Sequence, residues 1–142
     1  MPCWVREGTA DLFGHFFARE LTSIDYNSLK QFTVNNYLMG SSGVELRSFN
    51  THQWLDHLRQ LETSSTGACD YSLRFAYGTG LLLSELLIAD FGFEKLVSFW
   101  RSFGTAPTFR DGFKSVYTVE VEDWYTTRAI PYLIAEYRRV PK

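Results

Sequence analysis

Cysteine is scarce in this chain: Cys3 and Cys69 are the only two. They are too few for a disulfide framework and do not form a C-x-x-C pair, so each reads as a small buried hydrophobe. Proline is also rare, at positions 2, 107, 131 and 141, and no Pro/Gly-rich linker, repeat or low-complexity tract divides the 142 residues. Residues 1–142 therefore read as a single domain, long enough to bury a real core. A basic excess is missing too, with 14 Lys+Arg against 16 Asp+Glu, a net charge of -2 and no basic block. That balance gives no electrostatic reason to expect nucleic acid or an anionic membrane as partner. Long hydrophobic runs are absent as well. The most apolar stretch, Leu81 to Ala89, is interrupted by Ser84 and Glu85, which leaves no membrane span. Met1-Pro2-Cys3-Trp4 lacks the charged and apolar regions of a signal peptide.

What the chain has in quantity is aromatic residues, 17% of the total with 4 Trp, 8 Tyr and 12 Phe. A disordered chain does not carry such a load. Helical periodicity dominates the pattern. Val5, Leu12, Phe13, Phe16, Phe17 and Leu21 recur at helical spacing from Trp4 to about Glu20. Asp25 suits the cap of a second helix to about Met39, ended by Gly40-Ser41-Ser42-Gly43. Val44, Leu46 and Phe49 read as a short extended stretch. Asn50 or Thr51 can cap a third helix through Trp54, Leu55, Leu58 and Leu61, which stops in the polar run Glu62 to Gly67. Asp70 looks like the cap of a long helix from about Tyr71 to Asp90, closed by Gly92 and apolar on most faces, hence central. A shorter helix follows from Glu94 to about Phe103, and Thr108 opens another to Tyr117. The last runs from the acidic Glu120-Val121-Glu122-Asp123 start to about Arg139, with a kink expected at Pro131. The expected fold is an all-α, compact bundle of about six helices.

The first helix holds the most informative residues. Glu7 and Asp11 are four apart, so both carboxylates lie on one helix face, about 40° apart. Like charges so placed repel by a few tenths of a kcal/mol. A solvated face near a helix N-terminus would tolerate them, and so would a neighbouring cation. Downstream, Tyr77-Gly78-Thr79-Gly80-Leu81 opens the apolar stretch of the central helix. Tyr77 can be a core tyrosine with a satisfied hydroxyl, and Gly80 a point of close helix packing.

Pro2-x-Trp4-x-x-Glu7-Gly8-x-Ala10 resembles the segment that follows the zinc-binding helix in gluzincin metallopeptidases, including the aminopeptidase-like and peptidase-MA-like families. The resemblance implies that Glu7 is a zinc ligand. Glu7-x-x-x-Asp11 is similar to the E-x-x-x-D of thermolysin-type enzymes, which implies that Asp11 holds a zinc-bound histidine by its far ring nitrogen. Zn²⁺ accepts a carboxylate oxygen at about 2.0–2.2 Å, and a supporting carboxylate fixes the imidazole tautomer. The Tyr77 segment resembles the Y-x-x-G-x step of the same clan, whose tyrosine donates to the oxyanion of the tetrahedral intermediate. A phenol suits this because it donates while neutral at pH 7. Phe109-x-x-Gly112-Phe113 and Trp124 to Leu133 look like the clan's closing pattern, so the matches run in order along nearly the whole chain.

The clan's H-E-x-x-H motif, which supplies two histidine ligands and the general base, is not in this sequence. His52 and His57 are five apart, about 140° around a helix, and His15 lies eight residues after Glu7. A metal held between chains by Glu7 and His15 is a remote third reading. The expectation is a C-terminal helical portion of a zinc metallopeptidase, with Met1 an internal methionine and the H-E-x-x-H segment upstream of it. Catalytic zinc needs three protein ligands. The isolated chain is thus expected to be inactive and to hold no stoichiometric zinc, its parent acting on a peptide or protein substrate. The alternative is a non-catalytic helical protein-interaction module whose aromatics serve a binding face.

Overall fold

In the computed structural model, residues 1–38, 43–62, 69 and 76–140 are described. Their helices begin where side chains satisfy the first free N–H groups. Asp25 accepts from the Ser28 N–H at 3.1 Å and opens α2 (Tyr26–Asn36). Asn50 and Gln53 exchange reciprocal bonds of 2.9 Å at the start of α3 (Thr51–Glu62). Thr108 accepts from Asp111 N–H at the start of α6 (Phe109–Tyr117). The first helix, α1 (Cys3–Thr22), follows Pro2 and has no side-chain cap. Between α3 and α6 lie α4 (Ala76–Phe91) and α5 (Phe93–Ser102), separated by Gly92 at φ 88°, a left-handed turn that favours glycine.

The C-terminal helix is continuous but changes pitch. It starts as α7 (Val121–Trp124), widens into a π-helical segment (Tyr125–Ala129) and resumes as α8 (Ile130–Arg138). Pro131 has no N–H to give the preceding turn. A π-helical segment lies just before the proline, where the kink was expected.

The fold is all-α. Among the described residues no strand forms: Leu46, expected in an extended stretch, lies in a 3₁₀ turn (Leu46–Ser48), its N–H bonded to the Leu38 carbonyl at 2.8 Å. The second helix stops at Asn36, short of Met39, because Tyr37 leaves helical geometry and stacks on Tyr77. Met39, the break at residues 40–42, the cap at Asp70 and the stretch Tyr71 to Phe75 lie outside the described residues.

As its all-round apolar sequence requires, α4 is the centre. Leu81, Leu82, Leu83 and Leu87 are fully buried, and even Ser84 is buried, sharing a 3.3 Å hydrogen bond with Thr9 of α1. Around it pack Trp4, Trp54, Phe99, Phe113, Tyr125 and Tyr137, all buried. Trp4 Nε1 donates to the Tyr125 hydroxyl at 3.1 Å and the Tyr137 hydroxyl pairs with Thr79 at 3.1 Å, whereas Trp54 Nε1 is buried without a hydrogen-bond partner. No described helix is long and apolar enough to cross a membrane.

One expectation is corrected. Cys3 and Cys69 are not independent buried thiols but a disulfide, Cα–Cα 5.5 Å, that ties the start of α1 to the chain ahead of α4. Their separation of 66 residues carries no pairing signal, since connectivity follows from the fold.

Candidate functional site

The site is set by a crossing of α1 and α4 with backbone on backbone. A methyl group at Gly8 would fall 1.9 Å from the Gly80 carbonyl carbon, and one at Gly80 would fall 2.4 Å from the Trp4 carbonyl oxygen. No side chain fits between these helices at that point. Glu7 immediately precedes Gly8, Asp11 lies nearly one turn after it, and Tyr77 lies nearly one turn before Gly80. Helix geometry then does the rest: the contact carries Tyr77 to the two carboxylates from 70 positions along the chain.

Tyr77 lies close enough to Glu7 for the carboxylate to act on its hydroxyl. Glu7 accepts from Arg6 Nε at 2.9 Å, and its side chain is only 16% exposed. Behind the phenol, the Tyr37 ring stacks on Tyr77 with centroids 5.2 Å apart and planes 19° from parallel. Burial, then the negative charge of Glu7, pushes the Tyr77 phenol above its usual range, so it is a protonated donor at neutral pH.

Asp11 is strongly perturbed. Burial, reinforced by the charge of Glu7, raises it to about 6. Its Oδ2 is fully buried and has no hydrogen-bond partner. An acceptor so placed is costly and stands ready for a donor. Chemically, the arrangement offers two oxygen ligands or acceptors and one neutral O–H donor at a single helix crossing.

The histidines do not complete a metal site here. His15, one turn beyond Asp11, lies 3.1 Å from the Thr33 hydroxyl, and burial lowers its pKa. His52 is exposed beside Asp56 at 3.3 Å. His57 packs against the rings of Phe49 and Trp54, and burial lowers it to about 4. Among the described residues no three His, Cys, Asp or Glu side chains converge as a metal-binding group.

Sequence reasoning missed Arg6 and Tyr37. Arg6 was visible only as a neighbour of Glu7, and the Tyr37–Tyr77 stack joins the end of α2 to α4, a packing no local pattern encodes. It missed as well the ion network in which Arg110 grips Glu62 through two hydrogen bonds of 2.9 and 3.0 Å and reaches Glu122, which Arg59 also engages. No family model, curated protein or solved structure matches the chain.

Proposed function

We propose that this chain is the C-terminal helical portion of a zinc-dependent metallopeptidase domain, inactive by itself. One observation carries the reading: the Gly8–Gly80 crossing gathers Glu7, Asp11 and Tyr77, the three residues to which the gluzincin resemblance assigns linked roles.

The donor set fits part of a zinc site. Glu7 supplies a carboxylate ligand, and the free lone pairs of Asp11 Oδ2 suit the N–H of a ligand imidazole. Zinc, when bound, supplies Lewis acidity toward a peptide carbonyl. Tyr77 contributes a neutral O–H to the developing negative charge, and its stack on Tyr37 restricts the ring's orientation. The imidazoles and the general base come from the H-E-x-x-H segment that the reading places upstream.

Zinc titration tests this. The isolated chain is expected to take up no stoichiometric zinc, and tight one-to-one binding would contradict the account. A longer chain carrying the upstream segment is expected to bind one zinc and cleave casein. In it, Glu7→Gln should lose both, and Tyr77→Phe should lower kcat while zinc is retained. The alternative, a non-catalytic interaction module, is favoured by a different observation, the exposed Phe17 and Leu21 of α1. It predicts no peptidase activity in any longer form.

A further inference from the structure

The core-facing side of α1 ends early. Trp4, Val5, Gly8, Thr9 and Leu12 are buried, and beyond Leu12 no residue of this helix is. Its outward arc carries Ala10, Phe13, Gly14, Phe17, Ala18 and Leu21, which fall within about 140° of helix surface. Phe17 is 67% exposed and Leu21 83% exposed. Ala10 and Gly14 are exposed as well, and a methyl group added at Gly14 would meet nothing within 4 Å. Phe13 extends the stripe to α5 through an edge-on contact with Phe93, itself 45% exposed, at 6.0 Å.

The order of large and small side chains on this stripe has a symmetry. Turned end for end about a point midway between His15 and Phe16, Ala10 falls opposite Leu21, Phe13 opposite Ala18, and Gly14 opposite Phe17. Every pair sets a large apolar side chain against a small one. Two copies of one helix packed antiparallel about a two-fold axis need this complementarity, since each surface must fit itself. The apolar area agrees. With full aromatic side chains at about 150–250 Å², Phe17, Leu21 and Phe93 at their observed exposures leave roughly 350–400 Å² of apolar surface per copy. Two copies together reach roughly 700–800 Å², the range of weak, transient association.

We propose that the outward face of α1 is a homodimer interface, in which a second copy of this chain packs antiparallel on the Ala10–Leu21 stripe with its two-fold axis between residues 15 and 16. The dimer requires neither metal nor any further segment. Its area corresponds to weak association.

Sedimentation velocity of the isolated chain over about 5–500 µM tests it. The expected result is a concentration-dependent shift from 16.4 kDa to twice that mass and no further. Gly14→Phe alone and Phe17→Ala alone should each weaken the dimer at least tenfold. The double variant G14F/F17A exchanges large for small within the same pair and should restore it. Both positions point away from the core, so circular dichroism should be unchanged. A monomer at every concentration would overturn the proposal and leave the face to another occupant. So would tighter association of Gly14→Phe, the mark of unspecific stickiness, or failure of the double variant to recover.

Discussion

Asp11 buries a carboxylate oxygen, Oδ2, that accepts no hydrogen bond. Its carboxyl is lifted to about 6 by burial first and Glu7 second. Replacing Glu7 by Gln removes only the second cause. Carboxyl-carbon NMR titration of the Glu7→Gln variant is expected to move the Asp11 midpoint down from about 6 while leaving it above the ordinary aspartate value. A midpoint unchanged by the substitution would show that the two carboxylates do not feel each other. The same shift has a stability consequence. A carboxyl with a raised folded-state pKa stabilises the fold below its unfolded pKa, and that contribution is lost as pH rises through about 6. His57 acts in the opposite sense: held at about 4 by burial, it favours the folded state above its ordinary pKa near 6.5, and this is lost as pH falls toward 4. Asp11→Asn is therefore expected to raise stability at pH 7 and to leave a steeper loss between pH 6.5 and 4, measured by urea unfolding at each pH. Greater stability without the acid is what a residue retained for binding rather than folding should show.

At the scale of elements, the helix crossing makes the sharpest contrast. Gly80→Ala drives a methyl group into the Trp4 carbonyl and should cost about 3 kcal/mol or more. Gly14→Ala, in the same fold but in open space, should gain up to about 1 kcal/mol from helix propensity. Denaturant unfolding of the two variants checks both signs. This contrast also marks what was legible in the sequence. Helix positions were, because capping residues such as Asp25, Asn50 and Thr108 and the period of the apolar residues act locally. Gly80 was legible as a packing glycine, though its partner Gly8 was not, since that pairing depends on how two helices cross. Leu46 misled because a short alternating pattern cannot distinguish a strand from a 3₁₀ turn. Glu7, Asp11 and Tyr77 could be named from motif order; the Tyr37 stack, the Arg6 pairing and the orphaned Asp11 oxygen needed three dimensions.

For the whole molecule, the Cys3–Cys69 bond closes a loop of 66 residues that includes α1, α2 and α3 and begins one helical turn before Glu7. Chain-entropy arguments put the gain from such a loop at up to about 4 kcal/mol. Urea unfolding with and without reductant should show a drop of this order on reduction, and an unchanged midpoint would mean that the crosslink does not restrain the unfolded chain. The disulfide, the glycine crossing and the buried Trp4–Tyr125 hydrogen bond all hold the first turns of α1 in place. A helix start so firmly anchored is a suitable support for a ligand whose carboxylate must not move. The proposal that Glu7 is a metal ligand is tested most directly by sequencing the DNA upstream of the Met1 codon. The account predicts an in-frame H-E-x-x-H separated from Trp4 by one short connection. An in-frame stop codon there, close behind a ribosome-binding site, would contradict it.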